Sequence, residues 1–280
     1  MKTGLIMEGG AFRGMFTNGV IDVFMEEGIT FAGAAGISAG AVFGCNIKSR
    51  QIGRPIRYNK KYCQDPRYCS LRSLLTTGDL FGVEFCYHEL PEKLDPFDQE
   101  AFRENPMEFY VGATDVETGR IVYHRCSDGG AEDIEWMRAS SSMPIVSRPV
   151  KIGKYLLLDG GISDPVPFRF MEKQGYDRNV CVLTQPAGYR KKPASPAMQL
   201  LLCKYPAIAR AMAVRHDRYN LQMEQLDERE RTGEMLVIRP PESLGIGRIE
   251  KDPNELERVY QIGRAAAKDR LSEVRDFLQK

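Results

Sequence analysis

The sequence predicts an α/β protein built around a mostly parallel sheet. Two observations carry that expectation. Within the first 50 residues, a short apolar run, a glycine-containing break and a helix-spaced segment follow one another twice over. Later, four or more further apolar runs of strand length alternate with longer segments of helical periodicity.

Taken in order, Thr3 to Met7 reads as a strand interrupted by Glu8-Gly9-Gly10. Met15 to Glu26 sets Met15, Val20, Val23 and Phe24 at roughly helical spacing, and Gly28 supplies the stop. Phe31 to Ile37 is a second strand made of small residues, and Ala39 to Ile47 reads as one helix. Residues 50–106 are rich in Arg, Lys, Tyr and Pro and read as a basic, cap-like insertion with short helical pieces. Phe109 to Ala113 and Ile121 to His124 are strands joined by a turn at Glu117-Thr118-Gly119. A helix over Glu132 to Met143 stops at Pro144, and Lys151 to Leu158 forms a hairpin about Gly153. Asn179 to Thr184 and Met235 to Ile238 are the remaining strands. The part from 196 to 280 is otherwise helical, ending in one helix over Asn254 to Gln279. With no repeat, linker or low-complexity tract, residues 1–280 read as a single domain.

Composition narrows the function classes. A net charge of +1 lends no support to nucleic-acid binding. No stretch approaches the roughly 18 apolar residues of a membrane span, and the N-terminal apolar run is too short for a secretory signal. The expectation is an unprocessed chain made and kept in the cytoplasm. Seven cysteines, an odd number without a C-x-x-C pair, read as free thiols, and neither Cys86 nor His88 falls in a zinc-binding pattern, so no metal and no cofactor are expected.

Three short motifs carry the chemistry. Gly36-Ile37-Ser38-Ala39-Gly40 matches G-x-S-x-G between a strand and a helix, the context a nucleophile elbow requires, with small neighbours that let the chain turn sharply. Five residues alone are equally compatible with a structural turn. Gly9-Gly10-Ala11-Phe12-Arg13-Gly14 lies between the first strand and the first helix. It reads as a simple glycine turn, as a dinucleotide fingerprint weakened by Ala11, or as a loop whose Gly9, Gly10 and Ala11 amides form an oxyanion hole beside Ser38. A P-loop is excluded because no Gly-Lys-Ser/Thr follows.

A serine nucleophile needs a base. The three histidines are His88, His124 and His216, none clearly placed for the task. The order Ser38, Asp159, His216 fits a Ser-His-Asp α/β-hydrolase, although that fold builds more strands before its nucleophile than this chain has. A carboxylate serves instead if it reaches the serine hydroxyl directly and burial raises its pKa. Asp159-Gly160-Gly161 ends the run Tyr155-Leu156-Leu157-Leu158, which would carry Asp159 on a buried strand to one sheet edge.

Together these residues resemble the patatin-like phospholipase family. Its glycine loop, G-G-G-x-R/K-G, is similar to Gly9-Gly10-Ala11-Phe12-Arg13-Gly14, with Ala11 in place of the third glycine. Its elbow resembles Gly36-Ile37-Ser38-Ala39-Gly40 and its D-G-A/G motif Asp159-Gly160-Gly161. Weaker echoes lie at Ala113-Thr114-Asp115 with Thr118-Gly119, and at Ala139-Ser140, Pro144 and Pro149-Val150. The resemblance implies a three-layer α/β/α fold, a Ser38–Asp159 dyad and metal-free hydrolysis of phospholipids or simpler acyl esters. A non-catalytic lipid- or nucleotide-binding regulator on the same fold is the alternative.

Between Lys48 and Arg72 stand Lys48, Arg50, Arg54, Arg57, Lys60, Lys61, Arg67 and Arg72 against Asp65, interleaved with Tyr58, Tyr62 and Tyr68. This reads as a solvated basic face, as a patch for anionic lipid headgroups giving peripheral membrane contact, or as an RNA contact that mixed basic and aromatic residues permit.

Overall fold

The alternation of side chains along the strands sets the architecture. Leu5 and Met7 of β1 (Lys2–Met7) join one apolar cluster while Ile6 joins another. Ala34 and Ala35 of β2 (Gly33–Ile37) divide in the same way, as do Val180 and Cys181 of β7 (Tyr176–Val182), and Leu236 and Val237 of β8 (Met235–Ile238). A sheet buried on both faces needs a helical layer on each. In the computed structural model, which describes residues 1–279, the Gly14–Glu26, Ala131–Ser141 and Pro253–Asp269 helices contribute to the first cluster. The Phe168–Lys173 and Arg215–Arg231 helices contribute to the second. The result is the expected three-layer α/β/α arrangement.

Strands β1, β2, β7, β8 and β3 (Glu108–Asp115) pair in parallel, in the order β3-β2-β1-β7-β8. Three antiparallel strands complete the sheet: β4 (Ile121–Cys126) and β6 (Tyr155–Asp159) both pair with β3, and β5 (Val150–Ile152) pairs with β6. The register along β3 fixes the site. Gly112 lies between Ile37 of β2 and Tyr123 of β4, and Ala113 lies between Asp159 of β6 and Val122 of β4. Strands β2 and β6 therefore meet end to end across β3 from β4, with Ser38 and Asp159 at the junction.

The remaining helices depart from expectation in two places. The segment after the elbow forms two short helices, Ala39–Val42 and Cys45–Lys48. The chain breaks near Gly44, where a Cβ would collide with the Gly40 carbonyl and the Met7 side chain. The terminal helix is likewise two, Pro253–Asp269 and Leu271–Gln279, parted at Arg270. Arg270 turns to pair with Glu230 and Glu273 and to donate to the Val237 carbonyl of β8. The Pro253–Asp269 helix crosses Gly14–Glu26 so closely that a Cβ on Gly263 would land on the Phe16 carbonyl, and one on Gly19 on that of Tyr260.

Residues 50–106 fold into short helices packed on the first cluster, through Ile56, Tyr62, Phe85, Leu90 and Phe102 among others. This corrects the reading of Lys48 to Arg72 as one basic-aromatic surface. Tyr58, Tyr62 and Tyr68 are buried. Lys48 is buried and donates to the Asn105 and Met107 carbonyls. Arg54 and Arg57 share Asp95, Lys60 pairs with Glu257, and Arg67 with Asp65 and Glu89. Only Arg50, Lys61 and Arg72 of the eight remain exposed without an ion pair among the described residues. All seven cysteines are free thiols, and no helix among the described residues is long and apolar enough to cross a membrane.

Candidate active site

Ser38 sits between β2 and the Ala39–Val42 helix at φ 55, ψ −120, a strained conformation for a residue with a side chain. The turn is tight enough that a Cβ on Gly36 would strike the Gly40 carbonyl, and one on Gly40 the Met7 carbonyl, which explains both motif glycines. The Ser38 amide donates to Ser140 Oγ at 2.9 Å, and that hydroxyl donates to the Gly112 carbonyl at 2.6 Å. Ser140 lies on the Ala131–Ser141 helix and is fully buried, so one hydroxyl ties the elbow to β3.

Ser38 Oγ donates to Asp159 Oδ2 at 2.7 Å. The other carboxylate oxygen accepts the Gly161 amide at 2.7 Å. Thr114 Oγ1 donates to the Asp159 carbonyl at 2.9 Å, and the Asp159 amide donates to Ser142 O at 2.8 Å. Burial raises the Asp159 pKa above the ordinary aspartate range; the Ser38 hydrogen bond, the Arg215 charge, the Gly161 amide and Arg248 oppose the rise. A Cβ on Gly160 would strike the Gly112 carbonyl, so this turn also needs its glycine.

The glycine loop lies against the elbow. A Cβ on Gly9 would come within 2.8 Å of both Ile37 O and Ser38 Cβ, and one on Gly10 within 2.7 Å of Thr184 Oγ1. Ala11 takes φ +48, the left-handed region that favours the glycine of the family pattern. The Gly9, Gly10 and Ala11 amides donate to no acceptor among the hydrogen bonds of the described residues. Arg13 and Gly14 start the helix beyond, and Gly14 packs against Ala39 and Phe43.

Two cavities meet at Ser38, which lines both together with Ala11 and Met143. One, of about 130 Å³, runs under the 50–106 helices between Phe12, Phe43, Tyr58, Phe81, Leu90 and Met137. The other, of about 320 Å³, touches Asp159, the glycine loop and the C-terminal helices. Neither is lined by a histidine. His216 lies 3.3 Å from Asp217, His88 3.8 Å from Glu92, and His124 bonds Asp133 at 2.7 Å while stacking on Trp136. His124, Cys126 and Asp133 form the one cluster among the described residues with a metal-like grouping. Asp133 Oδ2 there already accepts the amides of Ser127, Asp128 and Gly129, which is a loop-holding role.

Glu8, which the sequence offers only as a strand breaker, is buried beside the loop. Its oxygens accept the Thr184 amide at 2.6 Å, Thr184 Oγ1 at 3.0 Å and Tyr219 OH at 2.9 Å. No sequence signal marked Tyr219 or its neighbour Arg215, because the C-terminal hundred residues carry no motif.

Residues 205–279 match a domain family of unknown function (DUF6363). An uncharacterized NTE family protein of Mycobacterium bovis is 27% identical over 166 residues, covering 59% of this chain and 44% of its own. The uncharacterized protein YjjU of Escherichia coli is 28% identical over 199 residues, covering 66% and 53%. The chain thus spans about half the length of these curated relatives. The crystal structure of VipD from Legionella pneumophila aligns with a TM-score of 0.45 at 11% identity, covering 96% of this chain and 67% of that one. The glycine loop, the elbow and the Asp159 turn all fall within residues 5–171, where the chain matches the model of the patatin-like phospholipases, and it belongs to that family.

Proposed function

We propose that the protein is a serine lipid acyl hydrolase in which Ser38 is the nucleophile and Asp159 its base. The observation that carries this reading is the 2.7 Å hydrogen bond from Ser38 Oγ to a buried carboxylate with a raised pKa. As Oγ attacks the acyl carbonyl carbon, its proton passes to Asp159 Oδ2. The Gly9, Gly10 and Ala11 amides receive the oxyanion, and the helix leaving Ser38 directs its N-terminal amides to the same side. Collapse breaks the bond to the alkoxide, which leaves with the proton from Asp159. Water, deprotonated by Asp159, then attacks the acyl-enzyme and frees the fatty acid and Ser38. The apolar cavity of about 130 Å³ beside Ser38 suits the acyl chain.

Exposed Leu71 and Leu75, on the Leu71–Thr77 helix that also carries Arg72, support peripheral contact with a lipid surface. Sedimentation with anionic and neutral vesicles tests it; equal binding to both, or to neither, removes the electrostatic part.

Hydrolysis of a short-chain nitrophenyl ester tests the dyad. Ser38→Ala and Asp159→Asn are expected to lose on the order of 10²–10⁴-fold in kcat, with His216→Ala close to wild type. Loss in His216→Ala as large as in Asp159→Asn would replace the dyad with a triad, and activity retained in Asp159→Asn would exclude both.

A further inference from the structure

The two cavities that meet at Ser38 differ in charge. In the apolar one, Arg54 is paired with Asp95 and Arg138 with Glu135. The larger one is lined by Arg13, Lys191, Arg215 and Arg248, and none of these four has an ion-pair partner among the described residues. Its two carboxylates are already engaged by neutral donors: Glu8 by Thr184 and Tyr219, and Asp159 by Ser38 and Gly161.

Two of the cations are held by contacts of their own. Arg215 donates through Nε to the Gly161 carbonyl at 2.5 Å, leaving its terminal nitrogens without a hydrogen bond among the described residues. Asn220 clamps the Lys191 backbone, donating to its carbonyl at 3.1 Å and accepting its amide at 2.8 Å. Lys191 Nζ stands 3.9 Å from the centre of the Tyr219 ring. Arg13 Nε is buried without a partner, and Arg248, also of the lining, is exposed. Burial, with repulsion from Arg215, Arg13 and Arg248 outweighing attraction from Glu8, brings the Lys191 pKa down to about 7. Like charges lining one cavity repel one another, three of them from partly buried positions, and an anion among them would relieve that repulsion.

We infer that this cavity is an anion subsite, in which Lys191, Arg215 and Arg248 act with Arg13 to hold the phosphate of a monoacyl glycerophosphate. The acyl chain then crosses Ser38 into the apolar cavity, and the ester carbonyl lies between them beside Ala11. The inference rests on the hydrolase reading and deepens it to a substrate class. It also gives the C-terminal region a task, since Lys191, Arg215 and Arg248 all lie beyond the residues matching the patatin-like phospholipase model. The last two stand within the match to the domain of unknown function.

The test is calorimetric binding to the full chain carrying Ser38→Ala, which holds ligand without turning it over. The probes are an octanoyl glycerol 3-phosphate, the matching neutral monooctanoyl glycerol, glycerol 3-phosphate and inorganic phosphate. The phosphorylated ester is expected to bind roughly tenfold or more tighter than the neutral one. Adding Lys191→Gln or the exposed Arg248→Gln should erode that preference, and Lys191→Arg should retain it. Equal affinity for the two esters, or an unchanged preference in both Gln variants, overturns the inference. Phosphate or glycerol 3-phosphate binding as tightly as the acylated compound makes this a free-phosphate site and overturns the substrate class. Fluorophosphonate labelling of wild-type Ser38 separates the two readings: binding preference without labelling leaves the subsite and removes the hydrolase.

Discussion

Ser140→Ala removes one oxygen that serves two backbone groups. Ser140 Oγ accepts the Ser38 amide at 2.9 Å and donates to the Gly112 carbonyl at 2.6 Å, in a fully buried setting that excludes replacement by bulk water. Stranding the buried amide costs about 1–3 kcal/mol, and losing the bond to the carbonyl about 1 kcal/mol more. The sum is about 2–4 kcal/mol, which at ~2 °C per kcal/mol for a chain of this size lowers Tm by roughly 4–8 °C. The chemical effect follows from the same amide. It fixes the backbone of a residue held at φ 55, and a nucleophile displaced by ~1 Å loses on the order of 10²-fold in rate. Thermal unfolding and kcat on a nitrophenyl ester measure both effects. A variant with Tm within about 1 °C of wild type and undiminished kcat would refute the claim that Ser140 anchors the elbow.

Three further outcomes are expected. Burial raises the Asp22 carboxyl to about 6; one oxygen accepts the Gly53 amide at 3.0 Å and Tyr260 OH at 2.7 Å, and the other has no partner. A carboxyl raised above its unfolded value favours the fold below pH ~4 and loses that contribution as pH rises through the folded pKa. Asp22→Asn should therefore stabilise by about 1–3 kcal/mol at pH ~8 and by much less at pH ~4, read from urea midpoints; equal effects at both would contradict it. The acid limb of kcat/KM should lie above the ordinary aspartate range, because the proposed base Asp159 would have to be ionised to act and burial raises its pKa. Arg215 draws that pKa down, so Arg215→Gln should move the limb to still higher pH, and an unmoved or lowered limb would exclude Asp159 as its source. Gly263→Ala should destabilise by about 1–3 kcal/mol, since its new methyl meets the Phe16 backbone carbonyl rather than a movable side chain; an unchanged urea midpoint would contradict that.

Local signals made the parallel core legible. Short continuous runs of apolar or small residues mark β1, β2 and β8, and Gly28 and Gly153, both at positive φ, mark a helix end and a hairpin. The motif residues of the site were legible too, because tight turns at Gly9, Gly36, Gly40 and Gly160 leave no room for a Cβ. What could not be read depends on contacts distant in sequence. Lys48 and Arg54 look like surface cations until the carbonyls of Asn105, Met107 and Asp95 that receive them are in place. Arg215 and Lys191 reach the site only because β7 and β8 carry the C-terminal helices back alongside β1. No spacing rule links residues 38 and 215. Glu8 was hidden for the same reason, its partners being Thr184 and Tyr219.

The claim that Asp159 activates Ser38 is tested most directly by the rate of fluorophosphonate labelling, followed by mass spectrometry of the peptide carrying Ser38. The reagent reacts with an activated serine irrespective of which lipid is the substrate. Labelling at Ser38 that is absent in Ser38→Ala and slowed by on the order of 10²-fold or more in Asp159→Asn is the expected result. Folded wild-type protein that leaves Ser38 unlabelled, or an Asp159→Asn variant that labels at the wild-type rate, would contradict it.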